Sequence, residues 1–132
     1  MSIIIGDAAT RNYREYIANL QQSGTSAPTV TELTNTTGAT AVWTRVPLTP
    51  LRYEVTFNQE IGTVDKIFVL NGGNYTSNGS AEIASLTVET ITIISGTTAI
   101  AFASTIDGQE SSSDIDVNGS GRYVPVLIRF YE

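Results

Sequence analysis

The chain has 132 residues, a formal net charge of −6 at pH 7, and neither cysteine nor histidine. The lack of cysteine excludes a disulfide framework and a thiolate metal site, and the lack of histidine removes the commonest general base and metal ligand. The seven basic residues are scattered, so we expect no binding to nucleic acid or to a membrane surface. The length predicts one domain over residues 1–132.

The first predicted element is a short α-helix over residues 7–23. Its apolar side chains recur at i, i+3, i+4 and i+7, which is typical of one helix face; they are Tyr13, Tyr16, Ile17 and Leu20. Pro28 follows and cannot continue a helix. We expect the apolar face to dock on the remaining, β-rich part of the chain.

Residues 29–131 predict an antiparallel β-sandwich, jelly-roll-like in size, with about eight strands. The strands are predicted at residues 29–34, 40–46, 51–58, 66–70, 81–88, 90–95, 97–104 and 122–131, with a polar loop at 105–113. The continuously apolar segment 66–70 is typical of a central strand, whereas Pro125 predicts an edge or a bulge. The alternation shifts near Glu89 and Thr90, which predicts a bulge or a strand break.

Several runs resemble small virion-associated proteins of tailed bacteriophages, especially phages of Bacteroidetes-type hosts. These runs are QSGTSAP at residues 22–28, the turn around Asn35 and Gly38, VWTR at residues 42–45, and IRFY at residues 128–131. The resemblance implies a head decoration, head fibre or tail-associated protein, localised in the virion. It implies no catalytic residue and no cofactor.

The strongest metal motif is an acidic run that resembles the opening of a calcium loop, formed by Asp114, Asp116 and Asn118. A calcium loop ends with a glutamate at its twelfth position, where this chain has Pro125. The run therefore favours an acidic strand end over a metal site.

Four aromatic residues are candidates for partner contacts: Tyr75, Trp43, Tyr13 and Tyr16. Tyr75 lies between turn-forming residues, where a tyrosine either stacks on a ligand or folds back onto the sheet. Trp43 divides between core and interface, and the two N-terminal tyrosines fit the docking face of the predicted helix better than a partner site.

The function predicted from these observations is that of a non-enzymatic virion protein. We expect it to assemble with capsid or tail proteins and to form homo-oligomers, because repeated β modules satisfy their edge strands through symmetry. The alternative is a carbohydrate-binding adhesin on the phage surface that presents Tyr75 and Trp43 in exposed loops, with a glycan as its ligand.

Overall fold

The computed structural model describes residues 12–22, 25, 27–47, 51–76, 82–111, 114–115, 117 and 122–132. Within them, strands account for 66% of the residues and helix for 3%. The ten strands of this part of the chain are β1 (Tyr13–Gln21), β2 (Thr29–Asn35), β3 (Ala41–Val46), β4 (Arg52–Phe57), β5 (Ile67–Asn71), β6 (Gly73–Tyr75), β7 (Ile83–Ile94), β8 (Thr97–Ile106), β9 (Gln109–Glu110) and β10 (Val124–Tyr131).

The strands form two antiparallel sheets that curl into a half-barrel. The four-stranded sheet has the order β2-β1-β10-β5, and the six-stranded sheet has the order β3-β4-β8-β7-β6 with β9 paired to β8. Edge strands of the two sheets follow each other in the chain at two corners, β2 to β3 and β5 to β6. The prediction of a mainly β, antiparallel and sandwich-like fold is confirmed.

The predicted N-terminal helix is wrong for the residues that the structure describes. Tyr13–Gln21 is strand β1, which lies between β2 and β10. The same segment also alternates with period two, so that Tyr16, Ala18 and Leu20 are buried and Ile17 lies on the opposite face. Pairing with β2 and β10 gives the backbone N–H and C=O groups of this segment hydrogen-bond partners on both sides. A short helix is only marginally stable by itself, so the strand is favoured. Residues 7–11 and 23 of the predicted helix lie outside the described residues.

One hydrophobic core fills the space between the sheets. Strands β4 and β10 contribute alternate side chains, as their sequences predict, and these are essentially inaccessible to solvent: Tyr53, Val55 and Phe57, and Val124, Val126, Ile128 and Phe130. Phe57 contacts the ring of Phe130 edge-on at a centroid distance of 5.3 Å. Each sheet therefore has an inner apolar face, which packs in this core, and an outer face, which does not.

Two tight turns and a bulge set the register of the six-stranded sheet. Ser95 and Gly96 have positive φ angles of 52° and 82°, and Asp107 and Gly108 have positive φ angles of 51° and 81°. This is the conformation that a two-residue hairpin turn requires. The pairing of β7 with β8 shifts between Val88 and Thr90, so the predicted bulge is confirmed. The predicted polar loop at 105–113 is partly wrong, because β8 continues to Ile106 and the chain returns as β9.

The apolar segment at 66–70 belongs to β5, which is an edge strand and not the predicted central one. Ile67 and Val69 pack against the core, whereas Phe68 and Leu70 are exposed on the outer face. A continuous apolar run therefore reports two apolar faces here, and one of them faces solvent.

Pro125 lies in β10, an inner strand, so its predicted edge position is also wrong. Its carbonyl oxygen accepts a hydrogen bond from the Gly72 backbone N–H at 3.0 Å. The N–H and C=O groups of one strand residue point to the same side, so the missing donor faces the point where β5 has already ended. Next to it, Gly73 allows a close approach to β7, because a Cβ there would lie 2.8 Å from the carbonyl oxygen of Ala84.

Candidate functional site

The outer face of the four-stranded sheet carries a line of apolar side chains that crosses all four strands. Ile17 of β1 is paired with Leu127 of β10, and Leu127 is paired with Leu70 of β5. On the other side of Ile17, the pairing with β2 shifts and leaves Leu33 in the irregularity. We call Leu33, Ile17, Leu127 and Leu70 the apolar row.

The apolar row is open to solvent at both ends. Leu33 and Leu70 are 56% and 55% exposed. Phe68, which lies two residues before Leu70 in β5 and on the same face, is 52% exposed. Ile17, Leu70, Pro125 and Leu127 also line a shallow depression of about 240 Å³. Contiguous apolar side chains of this kind are a mark of protein contact sites, whereas isolated ones are ordinary.

A polar cluster lies beside the apolar row on the same outer face, two residues away along strands β1 and β10. The Arg129 guanidinium donates from Nε to the Glu15 carboxylate at 2.8 Å and lies over the Tyr13 ring, 4.6 Å from its centroid. Hydrogen bonds with Tyr131 and Glu15 raise the pKa of Arg129. The candidate residue Tyr13 therefore lies on the outer face, with its ring 5.3 Å from that of Tyr131.

A second concave region opens between β2 and β3, the edge strands at one corner of the half-barrel. We call it the edge cleft; its volume is about 430 Å³, and it is lined by Tyr16, Pro28, Val30, Glu32, Asn35, Ala39, Thr40, Ala41 and Trp43. At its base the Trp43 indole N–H donates to the Tyr16 hydroxyl at 3.0 Å. Trp43 stacks on Phe102, with ring centroids 5.6 Å apart.

One carboxylate, that of Glu32, lies among the described residues that line the edge cleft. Glu32 is exposed and accepts a hydrogen bond from the Asn35 side-chain amide at 3.3 Å. Burial raises the pKa of the Tyr16 hydroxyl, the Trp43 hydrogen bond opposes that shift, and the negative charge of Glu32 adds to it. The charge of Glu32 therefore acts on the base of the cleft.

The acidic run that resembles a calcium loop uses its first carboxylate inside the protein. Asp114 accepts hydrogen bonds from Arg45 Nε at 2.7 Å and from the Tyr53 hydroxyl at 2.8 Å. These bonds tie the segment before β10 to the six-stranded sheet. Asp116 and Asn118 lie outside the described residues. The described part of the chain contains no group of three acidic, histidine or cysteine side chains that could hold a metal ion.

The aromatic residues predicted as contacts have different positions. Tyr16 and Trp43 are core residues, 1% and 7% exposed, at the base of the edge cleft. The expectation of Trp43 in an exposed loop is wrong, because it lies in β3, where its ring packs on a core phenylalanine. Tyr75 ends β6 and is paired with Ile83, so part of the predicted loop is a strand; the Tyr75 side chain lies outside the described part.

Sequence reasoning missed the apolar row and the position of Glu32. A signal for the row was present in the sequence. Segment 66–70 and the adjacent pair Leu127 and Ile128 have apolar residues at consecutive positions, whereas one buried face needs them only at alternate positions. Leu33 and Glu32 gave no such signal, because their positions depend on the register of β1 with β2.

Comparisons with known proteins give no relative for this chain. No family model, no curated protein and no solved structure matches it. Among the described residues, no helix is long and apolar enough to cross a membrane.

Proposed function

We propose that this protein is a non-enzymatic structural component of a tailed-phage particle and that it binds another virion protein through the apolar row. The observation that carries the contact is a line of apolar side chains across the outer face of one sheet. Ile17, Leu127 and Leu70 are in direct register, and Leu33 lies in the irregularity beside Ile17. The phage assignment is supported by the resemblance of the sequence runs at residues 22–28, 42–45 and 128–131.

The size of the apolar row favours repeated contacts over one strong contact. A stable pairwise interface buries roughly 800 Å² on each partner, which is more than four side chains and Phe68 can supply alone. Weak contacts become strong when many copies are held in one assembly. A multi-copy position on a head or tail, with copies of the chain beside each other, fits this surface.

The jelly-roll-like arrangement expected from the sequence belongs to the same proposal. The antiparallel pairing throughout both sheets supports it. In this arrangement the apolar row would face a neighbouring capsid or tail protein, and the loops at the ends of the half-barrel would face outward.

The proposal is tested by particle composition. We expect quantitative mass spectrometry of gradient-purified particles to find tens of copies if the protein decorates a capsid and a handful if it belongs to a tail ring. Leu70→Glu should reduce the amount retained on particles, because it places a charge in the row. Thr92→Glu, at an exposed position on the outer face of the other sheet, is the matched control.

Absence of the unmodified protein from purified particles, despite its expression during infection, would reject the virion assignment. Equal retention of both variants would keep the protein in the particle but remove the apolar row from its contact.

A further inference from the structure

The edge cleft lies between two strands whose outer edges are open in the described part of the structure. Strand β2 is hydrogen-bonded only to β1, and strand β3 only to β4, among the residues described. An open edge presents alternate N–H and C=O groups that accept a further strand. The cleft is therefore bounded by peptide groups as well as by side chains, which favours an extended peptide as its occupant.

The side chains of the edge cleft specify the charge of that occupant. Among the described residues, Glu32 is the only charged side chain that lines the cleft, and none of the ion pairs between them includes it. The whole chain carries a net charge of −6, so a cation is attracted and an acidic segment is repelled.

The base of the cleft adds a hydrogen-bonding group beside that carboxylate. The Tyr16 hydroxyl accepts from Trp43 and keeps a second lone pair. A lysine ammonium has three N–H donors and no acceptor, so the Glu32 oxygens and the Tyr16 hydroxyl match it. The walls, formed by Pro28, Val30 and Ala41, suit the methylene stem of such a side chain.

We propose that the edge cleft binds an extended segment of a partner protein that carries a lysine or an arginine. The segment pairs with the open edge of β2, and its basic side chain lies directly across from Glu32. Side chains at directly opposed positions of neighbouring strands point to the same face and lie about 5 Å apart. The segment thereby closes the half-barrel at this corner. This inference does not depend on the proposed function, because the cleft and the apolar row lie on opposite faces of the four-stranded sheet.

The fluorescence of Trp43 reports occupancy directly, since it is the single tryptophan of the chain. The full-length protein is titrated with a capped heptapeptide, TVTKTVT, and with the matched peptide TVTQTVT. We expect a saturable change with the first peptide, up to about fivefold weaker binding of the second, and weakening of the first by added salt.

Two protein variants assign the charge. Glu32→Gln should weaken binding of the lysine peptide up to about fivefold, the upper end for an exposed ion pair. Glu110→Gln, an exposed carboxylate in β9, should leave it unchanged. Both side chains are exposed, so both variants should keep the folded circular dichroism spectrum. Hydrogen exchange should show slower exchange of β2 amides in the presence of the lysine peptide.

Three outcomes would overturn the proposal. The first is no saturable change with the lysine peptide, or equal affinity for both peptides. The second is an equal loss in the two variants, which would indicate a general charge effect. The third is a fluorescence change with maltoheptaose or xylohexaose and none with the peptides, which would identify the cleft as a glycan site.

Discussion

The two sheets have inner faces of the same apolar character, but their outer faces differ. The outer face of the six-stranded sheet exposes single apolar side chains in β3 and at the two ends of β7, Val42, Ile83 and Ile94, and its centre consists of small and hydroxyl-bearing residues. On the six-stranded sheet, three alanines of β8 are paired with three threonines of β7: Ala103 with Thr87, Ala101 with Thr90, and Ala99 with Thr92. The Arg52 guanidinium reaches the Glu89 carboxylate across this surface at 3.4 Å. On the four-stranded sheet, the corresponding surface carries the apolar row.

This contrast indicates what each face contacts. Threonine hydroxyls and an ion pair are satisfied by water, and apolar side chains that are exposed singly are ordinary on a protein surface, so the centre of this outer face needs no further layer. Exposed leucines gain about 25 cal/mol for every Å² removed from water. A partner on the apolar row would therefore be held by hydrophobic burial, and the opposite sheet would remain solvated.

The largest expected effect is the difference in stability loss between an inner-face and an outer-face substitution in strand β10. Ile128 is completely buried and Leu127, its neighbour, points to the outer face. Ile128→Ala should lower the free energy of unfolding by about 2–5 kcal/mol, since it leaves a cavity in the core. Leu127→Ala should cost much less. Urea unfolding of both variants measures the difference, and equal costs would show that the apolar row is part of the core.

Alkaline pH probes the inner side of the six-stranded sheet. Burial, and then the hydrogen bond to Asp114, raises the pKa of Tyr53. The folded state therefore holds the neutral phenol, and its stabilising contribution is complete below the unfolded pKa of about 10. Above that pH the free energy of unfolding should fall, by at most about 1.4 kcal/mol per pH unit for one such tyrosine.

Tyr53→Phe is the control for this pH dependence. The variant should be less stable at neutral pH, because Asp114 loses a donor, but its stability should fall less steeply between pH 10 and about 11. Urea unfolding at a series of pH values measures both slopes. Identical slopes would mean that Tyr53 does not titrate with unfolding.

The sequence predicted the inner faces well because burial follows alternation. The alternate residues of β4 and of β10 are buried as expected, and the shift in alternation near Glu89 marks a real bulge. These features are local, so residues close in sequence determine them.

The errors came from features that depend on distant strands. Tyr13, Tyr16, Ile17 and Leu20 fit a helical stripe, but β2 and β10 pair with this segment and divide the stripe between two faces. The edge position of β5 and the inner position of Pro125 are likewise set by which strands pair. The edge cleft could not be predicted for the same reason, because it needs β2 and β3 to be edges of different sheets.

A smaller effect is expected for the ion pairs, one on each outer face. Glu89→Gln removes the pair with Arg52, and Glu15→Gln removes the pair with Arg129. All four side chains are partly exposed. Each variant should lose about 0.2–1 kcal/mol of stability, and the loss should shrink at high salt. Thermal melts at low and high salt measure this, and a loss well above that range in one variant would make its pair a structural element of the fold.

The smallest effect on stability is expected when a residue of the apolar row is replaced by threonine, a residue type found on the outer face of the six-stranded sheet. Leu70→Thr places a β-branched hydroxyl residue on the exposed edge strand β5, where threonine suits the strand backbone. Leu70 is 55% exposed, so little apolar burial is lost and the free energy of unfolding should stay within about 0.5 kcal/mol. Retention on purified particles should nevertheless fall, because the row loses an apolar end. Chemical unfolding and particle composition are measured on the same variant, and Thr92→Ser on the other sheet is the control. A loss of stability well above 0.5 kcal/mol, with retention unchanged, would mean that the apolar row serves the fold itself.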